Sequence, residues 1–298
     1  MSLTNQTADS PKHKVHRKPD WLRISRKSSP EQSEVEGLLK ELGLNTVCKE
    51  ANCPNYSDCF SRKTATFMIM GTACTRNCRF CNVRTDVPKP LDVGEPENVA
   101  RAVRQLGLQY VVITSVTRDD LADGGAAHFA TTIGAIRETS PETVIEVLVP
   151  DFKGDEDALR IITDARPDVV SHNMETVKDL YSQVRIGADY QRSLQLLSNI
   201  KKFAPEIRAK SGIMLGLGET EEQVFELFDN LLAANCESLT IGQYLAPSLE
   251  HHPVQDFVKP EIFEDYGQVA RDKGFAFVAS APLVRSSYMA EQAISPTL

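Results

Sequence analysis

Residues 64–82 read Thr-Ala-Thr-Phe-Met-Ile-Met-Gly-Thr-Ala-Cys-Thr-Arg-Asn-Cys-Arg-Phe-Cys-Asn, an apolar run followed directly by three closely spaced cysteines. The apolar run at 66–70 is bounded by Gly71, as a short buried strand would be. The cysteines follow in the spacing C-x3-C-x2-C and form what we name the first trio: Cys74, Cys78 and Cys81. In barrels of alternating strands and helices, reactive residues lie on loops after the carboxyl ends of strands. This stretch therefore indicates both a parallel α/β fold and the position of its active site.

The first trio has the ligand count of an iron–sulfur cluster with one open position. Three thiolates this close can hold three irons of a 4Fe-4S cubane and leave the fourth iron without a protein ligand. Structural zinc normally takes four protein ligands, and no histidine lies between Cys48 and Ala127. A disulfide framework fits poorly, because seven cysteines is an odd number and no secretory signal is recognised. The spacing favours the cluster, with zinc as the alternative.

A second trio lies just upstream, in the spacing C-x4-C-x5-C: Cys48, Cys53 and Cys59. By the same arithmetic these residues could hold three corners of another cubane. Two zinc sites would need eight ligands, so the competing interpretation is one four-cysteine zinc site with spare thiols. Cys236 stands apart from both trios, and we expect it to be a small buried side chain.

The bulk composition excludes several classes of function. The 298 residues, 41% of them hydrophobic, can form one large domain or two small ones. A net charge of -8 does not suggest nucleic-acid binding. No apolar run is long enough for a membrane span, and unpaired thiols fit the reducing cytoplasm, so a cytoplasmic protein is expected. Basic residues cluster at 12–27, either as a solvated arm or as a patch for an acidic protein partner.

Strand and helix signals alternate after residue 64. Strands are predicted at 66–70, 110–115, 144–149, around 169–170, 208–215 and 238–243. Helices are predicted at 31–42, 96–106, 126–138, 155–165, 191–203 and 259–273, and after a capping box formed by Thr220 and Gln223. A short strand at 275–279 is expected beyond the barrel. Six successive strand–helix units predict an α/β fold, a partial (βα)6 TIM-type barrel, with a doubly wound open sheet as the alternative.

The motifs together resemble the lipoyl synthase family of radical S-adenosylmethionine (SAM) enzymes. The resemblance extends from His16 to Glu291 and rests on both trios and on six further motifs: Thr-Ala-Thr-Phe-Met-Ile-Met-Gly at 64–71, Arg-Asp-Asp-x2-Asp-Gly-Gly at 118–125, His-Asn-x-Glu-Thr at 172–176, Gly-Leu-Gly-Glu-Thr at 216–220, Gly-Gln-Tyr-Leu at 242–245 and Arg-Ser-Ser-Tyr at 285–288. The first trio alone would support only the superfamily.

The resemblance implies a sulfur-insertion reaction. Lipoyl synthases insert two sulfur atoms at carbons 6 and 8 of an octanoyl chain attached to a lysine of a carrier protein. Those C–H bonds are unactivated and offer a base no acidity, so the family uses a 5′-deoxyadenosyl radical made from SAM at the first cluster. The cofactors supply the chemistry, and no side chain is assigned a catalytic role. Two 4Fe-4S clusters and SAM are therefore implied, with the second cluster as the sulfur source.

The resemblance also implies binding residues. A serine of the 285–288 motif is expected to fill the fourth corner of the second cluster; Ser286 is our choice and Ser287 the alternative. The residues implied for SAM are Thr114, Ser115, Val116, Asn173, Glu175, Arg185, Ser211, Gly212 and Gly216. Each has an ordinary structural explanation as well, such as a helix cap, a surface ion pair or a turn. His172 is expected to be a core histidine, or one that supports a binding residue, rather than a ligand, and the loop from Asp119 to Gly125 receives no role.

The implied partners are an octanoylated lipoyl carrier domain, of a glycine cleavage H protein or a 2-oxoacid dehydrogenase E2 subunit, and an electron donor such as ferredoxin or flavodoxin. No nucleic acid or membrane is expected. Four segments are predicted: a basic, partly disordered arm at 1–30, an auxiliary-cluster extension at 31–63, the barrel at 64–258, and a C-terminal helix with a cluster-capping tail at 259–298.

Two other classes of protein compete with this interpretation. Methylthiotransferase-like enzymes place their upstream trio in a separate domain and add an RNA-binding domain, whereas biotin-synthase-like enzymes lack the upstream trio. A non-catalytic electron carrier is expected to have four protein ligands for each cubane. Two three-cysteine sites instead indicate that one iron of each cubane lacks a cysteine ligand.

Overall fold

The computed structural model describes residues 17–23, 29–62, 66–288 and 290–293. Most of the basic cluster at 12–27 lies outside these residues. The strands are β1 Asn45–Thr46, β2 Thr66–Ile69, β3 Ala73–Cys74, β4 Arg84–Thr85, β5 Tyr110–Ser115, β6 Val144–Leu148, β7 Val169–Ser171, β8 Arg208–Leu215, β9 Ser238–Gln243 and β10 Phe277–Ser280. The helices are α1 Pro30–Glu41, α2 Val47–Glu50, α3 Tyr56–Ser61, α4 Glu95–Leu106, α5 Ala126–Thr139, α6 Glu156–Asp164, α7 Tyr181–Val184, α8 Tyr190–Phe203, α9 Glu221–Ala233 and α10 Pro260–Lys273.

One eight-stranded sheet carries the fold, in the order β1-β2-β5-β6-β7-β8-β9-β10. All pairs from β2 to β10 are parallel, and the order never reverses along the chain. A doubly wound sheet would reverse its strand order at a switch point, so the predicted partial barrel is confirmed. The carboxyl ends of β2 and β5–β9 therefore share one rim, where the site is expected.

The two edges of the sheet differ from the prediction. β1 was not predicted, and it pairs antiparallel with β2 through Asn45 opposite Met68. The strand expected beyond the barrel instead joins the sheet as β10, with Phe277 opposite Ser238 of β9. These pairings arise because the segments before and after the barrel fold back onto its two open edges.

Local signals explain where the helices begin and end. Thr220 and Gln223 form the predicted capping box at the start of α9, with both reciprocal hydrogen bonds present. Gly107 ends α4 in the left-handed region, at φ 64°. The helices bury apolar faces against the outside of the sheet, and Cys236 is buried in the same core, as predicted. Within the described residues, no helix is both long and apolar enough to cross a membrane.

Candidate iron–sulfur and cofactor site

The first trio begins at a strained turn after β2. Met70 and Gly71 both have positive φ angles, of 67° and 88°. The Met70 backbone N–H donates to Glu95 Oε2 at 2.8 Å, and His128 Nε2 lies 2.7 Å from the same oxygen. This buried Glu95–His128 pair fixes a backbone geometry that a non-glycine residue rarely adopts. The turn places Cys74 in β3 at the barrel rim.

Backbone amides point at two sulfurs of the first trio. Cys74 Sγ accepts from the N–H groups of Arg76 at 3.4 Å and Thr117 at 3.3 Å, and Cys81 Sγ accepts from Val83 at 3.5 Å. Such bonds favour the thiolate, the form that binds iron. Burial raises the pKa of Cys78 to about 11 and of Cys81 to about 12. Iron binding at neutral pH must therefore release protons from this loop.

Other barrel loops fix the rest of the first-trio segment. The Arg79 N–H donates to Val184 O at 2.8 Å, and the Arg79 carbonyl accepts from His252 N at 2.8 Å. The His251 imidazole donates from Nε2 to Cys81 O at 3.0 Å. Phe80 packs against a small apolar cluster that includes Tyr244. Loops after β7 and β9 thus hold the iron-binding loop from one side.

The second trio lies on short helices before the barrel. Cys48 belongs to α2 and Cys59 to α3, and both are buried, whereas Cys53 lies in the turn between them and is half-buried. Burial raises the pKa of Cys48 to about 11 and of Cys59 to about 12, and the charge of Cys48, when ionised, also raises the pKa of Cys59. Buried thiols this close together repel one another as thiolates. They can therefore ionise together only when a bound metal supplies positive charge.

Long-range contacts bring the second trio, the first-trio segment and the C-terminal tail together. Asn82, just after the first trio, donates from Nδ2 to Glu50 O at 2.6 Å, within the second-trio segment. Asn55 donates from Nδ2 to Leu283 O at 2.7 Å and so anchors the tail. Further along the tail, the Arg62 guanidinium lies 5.7 Å from the centre of the Tyr288 ring.

Asn173 and Glu175 occupy the centre of the site, after β7. Asn173 Nδ2 donates to Glu175 Oε1 at 3.0 Å and to Ser286 Oγ at 2.6 Å. Burial raises the pKa of the Glu175 carboxyl, while the positive charge of Arg285 opposes the shift. The charge of Glu175 in turn reaches Cys78 and Cys81, and the charge of Arg285 reaches Cys53 of the second trio. Both trios therefore border one polar centre at the barrel rim.

The two candidate serines of the tail differ in their surroundings. The Ser286 hydroxyl accepts the Asn173 hydrogen bond and lies at the barrel interior. No hydrogen bond of the Ser287 hydroxyl occurs among the residues that the structure describes, although that side chain is half-buried. Ser286 as the fourth ligand stays a prediction, and the free hydroxyl of Ser287 keeps the alternative open.

Two of the residues predicted for SAM have buried polar atoms without partners, and a third, Gly212, lies against one of these atoms. Asn173 Oδ1 and Ser115 Oγ are buried and have no hydrogen-bond partner among the described residues. At Gly212, a Cβ atom would lie 2.6 Å from Thr240 Oγ1 and 2.9 Å from Asn173 Oδ1, so only glycine fits there. Buried polar atoms without partners cost stability, and their presence beside the first trio fits a bound polar ligand.

Four other residues predicted for SAM are in contact with other parts of the protein. Thr114 Oγ1 donates to Leu148 O at 3.0 Å, and Ser211 Oγ accepts from Met174 N at 3.2 Å. Val116 is buried. At Gly216, expected to let adenine approach, a Cβ would strike the Asp256 carbonyl and Gln243 Nε2, and its role toward SAM stays a prediction. The segment after β9 fills that space.

Arg185 lies beneath Asn173 in a buried polar network. Its Nη1 donates to Asn173 O and to the Tyr181 hydroxyl, each at 2.6 Å, and its Nη2 lies 3.2 Å from His172 Nε2. His172 Nδ1 donates to Val149 O at 2.8 Å, which leaves Nε2 as an acceptor. Burial lowers the pKa of His172 to about 3, so it is neutral, and the predicted core histidine is confirmed. Arg185 orients Asn173 from below, a contact that sequence reasoning missed.

The loop at 119–125 also has a structural purpose that the sequence did not reveal. Asp123 accepts from the backbone N–H groups of Gly125 at 2.9 Å and Ala127 at 2.8 Å, and so starts α5. A Cβ at Gly125 would strike the Met70 sulfur. Asp119 binds Arg76 of the first-trio segment through its carboxylate. The close spacing of three acidic residues was the available signal, but their partners are distant in sequence.

The donor set fits a cluster better than a single ion. Among the described residues, no three His, Cys, Asp or Glu side chains converge as one metal ion would require. A cubane does not need such convergence, because each cysteine binds a different iron. Six cysteine sulfurs, three at each side of the polar centre, are the thiolate ligands that iron–sulfur clusters use.

Comparisons with known proteins agree with this arrangement. Residues 68–231 match the model of the radical SAM superfamily. The chain is 54% identical to the lipoyl synthase of Alkaliphilus metalliredigens over 94% of this chain and 97% of that protein. It is 55% identical to the lipoyl synthase of Caldicellulosiruptor saccharolyticus over 93% of this chain and 97% of that protein.

Solved structures share the fold at low sequence identity. Methylornithine synthase superposes with a TM-score of 0.53 at 14% identity, covering 86% of this chain and 84% of that one. The FeFe-hydrogenase maturase HydG superposes with a TM-score of 0.58 at 13% identity, covering 70% of this chain and 50% of that one. Full-length identity to curated relatives, together with two cysteine trios on a partial barrel, shows that this chain belongs to the lipoyl synthase family of the radical SAM superfamily.

Proposed function

We propose that this protein inserts two sulfur atoms, at carbons 6 and 8, into an octanoyl chain carried on a protein lysine, and so makes the lipoyl group. The observation that carries the proposal is the shared polar centre, where Glu175 is within electrostatic reach of the first trio and of Arg285, the neighbour of Cys53. Sulfur insertion needs a radical source and a sulfur source beside one substrate carbon. Two trios that border one centre meet that need.

The first trio is proposed to hold a 4Fe-4S cluster, and the residues around Asn173 to hold SAM. When bound, the cluster and SAM supply a carbon radical that can break an unactivated C–H bond. Asn173 Oδ1 and Ser115 Oγ are assigned to SAM because protein atoms leave them unsatisfied. Gly212 is assigned beside them because its lack of a side chain leaves room for Asn173 and Ser286 to meet there. Glu175 contributes negative charge, whereas Arg185, Thr114, Val116 and Ser211 support the backbone of the pocket. Gly216 stays proposed for the adenine side of SAM on the resemblance alone.

The second trio is proposed to hold a second 4Fe-4S cluster, which supplies the sulfur. Its fourth protein ligand is assigned to the serine pair of the tail, with Ser286 preferred and Ser287 as the alternative. The tail is anchored for that purpose by the Asn55–Leu283 hydrogen bond. A seryl oxygen is a harder ligand than a thiolate, so the iron it binds should be easier to lose when sulfide leaves.

The four-segment division follows from these assignments. Residues 31–63 and 259–298 carry and cap the second cluster, while 64–258 hold the first cluster and SAM. The proposed partners are an octanoylated carrier domain and a small electron donor, in the cytoplasm. The basic residues at 12–27 would steer an acidic carrier domain, and neutralising them should slow association most at low salt. If the neutralised variant and the wild type associate at equal rates at low salt, the basic residues are a solvated arm with no role in steering.

Anaerobic reconstitution tests the proposal. The loaded protein should contain about eight irons per chain, the content of two cubanes. Addition of SAM, a reductant and an octanoyl-lysyl peptide should yield 5′-deoxyadenosine and a peptide that has gained two sulfurs. One zinc per chain, or no SAM cleavage, would contradict the proposal.

Single cysteine variants separate the two clusters. Cys53→Ala should lower the iron content to about four per chain and abolish sulfur gain while SAM is still cleaved. Cys236→Ala is the matched control, because the hydrogen bonds found for that buried thiol among the described residues go to the carbonyls of Ala209 and Ser238 and not to either trio. It should keep the wild-type iron content; iron loss in this control would show that the assay reports general misfolding.

A further inference from the structure

Arg76 lies between the first two cysteines of the first trio, and two carboxylates from other loops clamp its guanidinium. Its Nε and Nη2 donate to the two carboxylate oxygens of Asp119 at 2.7 and 2.9 Å. Nη2 also donates to Asp151 Oδ1 at 2.7 Å. The side chain of Arg76 is 7% exposed and that of Asp151 is 0% exposed. Charged groups this deeply buried have lost most of their hydration, so removing one partner of the ion pair is strongly destabilising.

A second arginine completes the clamp from α8. Arg192 Nε donates to Asp151 Oδ2 at 2.9 Å, and Arg192 Nη2 donates to Gly187 O at 3.1 Å. The backbone N–H of Lys153 donates to Asp151 Oδ1 at 3.1 Å. Asp151 therefore has both oxygens occupied, and it links the first-trio segment to α8. The two arginines and two aspartates balance in charge.

The clamp fixes the backbone that faces Cys74. The Thr75 hydroxyl donates to Thr117 O at 3.0 Å and accepts from Asp119 N at 3.0 Å. These bonds tie residues 74–76 to residues 117–119, from which Arg76 N and Thr117 N both point at Cys74 Sγ. Hydrogen bonds to cysteine sulfur are one of the factors that set the reduction potential of an iron–sulfur cluster.

We propose that Asp119 and Asp151 are positioning residues for the first cluster and act through Arg76. They hold the backbone of residues 74–76 in the conformation that binds the cluster before iron is present. After iron binds, they keep two amide N–H groups directed at Cys74 Sγ. The inference rests on the proposed function, since it takes the first trio to bind a cluster. Arg79, the other arginine of this loop, lacks such a clamp: the only side-chain bond found for it among the described residues goes to Glu250 O at 3.4 Å.

The test uses Arg76→Lys, which keeps the charge but cannot bridge two carboxylates as a fork. Amide hydrogen exchange in the iron-free protein should become about tenfold faster across residues 72–78, because the local opening free energy falls. Arg79→Lys is the matched control in the same loop and should exchange at the wild-type rate. Asp119→Asn should reproduce the Arg76→Lys result, whereas Asp120→Asn, which removes a partner of Arg118 only, should not.

A second measurement separates positioning from general stability. In the loaded enzyme, the first cluster of Arg76→Lys should have a more negative reduction potential than wild type, because its N–H···S bonds are lost while the charge is kept. Wild-type exchange and wild-type potential in Arg76→Lys would overturn this inference alone. A wild-type protein that binds no iron would overturn the proposed function and this inference together.

Discussion

Replacing Gly212 with alanine is expected to damage the centre of the site. Gly212 lies in β8, and a Cβ atom there would lie 2.6 Å from Thr240 Oγ1, 2.9 Å from Asn173 Oδ1 and 3.1 Å from Ser286 Oγ. Close carbon–oxygen contacts in proteins are usually about 3.3 Å or longer. At least two side chains must therefore move, and one of them carries the oxygen that we assign to SAM.

The size of the effect follows from packing and from one hydrogen bond. Forcing a methyl group into a filled interior costs about 1–3 kcal/mol. If the shift also removes one hydrogen bond to SAM, about 1 kcal/mol of binding free energy is lost. That loss corresponds to about fivefold weaker binding. Gly212 does not have a positive φ angle, so backbone strain adds nothing to these figures.

Gly134→Ala is the matched control. Gly134 lies in α5, and a Cβ there would have no neighbour within 4 Å. Alanine favours a helix over glycine, so this variant should gain up to about 1 kcal/mol. Urea unfolding of the iron-free protein measures the free energies, and equilibrium titration of the loaded protein measures the Kd for SAM. A Gly212→Ala protein as stable as wild type, with the same Kd, would refute the reasoning.

Three further predictions test the barrel interior and the tail. Lys210→Met should destabilise the protein by about 3–5 kcal/mol, because it removes the cation that pairs with the buried carboxylate of Glu146 and leaves the Tyr110 hydroxyl as the remaining side-chain donor found for it. Adding Glu146→Leu should recover part of that loss in urea unfolding, less the cost of the Tyr110 hydroxyl that loses its acceptor; no recovery would contradict this. Ser286→Cys should keep about eight irons but stall sulfur insertion, whereas unimpaired turnover, with stalling in Ser287→Cys, would move the ligand to Ser287. Because the folded pKa of His172 is lowered to about 3, the unfolded chain binds an extra proton below its ordinary pKa of 6.5. Stability should therefore fall as pH drops through that window, by up to about 1.4 kcal/mol per pH unit; an equal slope in His172→Gln would exclude this group as the cause.

The sequence predicted the barrel strands well because their signals are local. The bounds of β5, β8 and β9 agree with the prediction, since each is a short segment between two clear helix signals. β1 has only two residues, and its partner β2 lies beyond two short helices, so no periodicity could reveal it. The register of β10 against β9 is likewise a long-range choice.

The site residues divide in the same way. The cysteines were predicted because metal ligands on one loop leave a spacing in the sequence. For Gly216, the sequence did not show what fills the space on the side of a missing Cβ, and here Asp256 fills it. The partners of Arg185 and Arg76 were missed because Arg185 donates to the Asn173 backbone carbonyl and Arg76 pairs with Asp151 of another loop, and neither contact leaves a pattern in the sequence.

By itself, the sequence determined the chemistry available to this protein: two trios of thiols and an alternating order of strands and helices that puts the first trio on a barrel rim. Only the tertiary structure decided that both trios border one polar centre. That centre depends on contacts such as Asn173 with Ser286 and Asn55 with Leu283, which join residues more than a hundred positions apart. Local patterns specify which face of an element is buried, but the crossovers and the path of the tail decide which distant side chains meet.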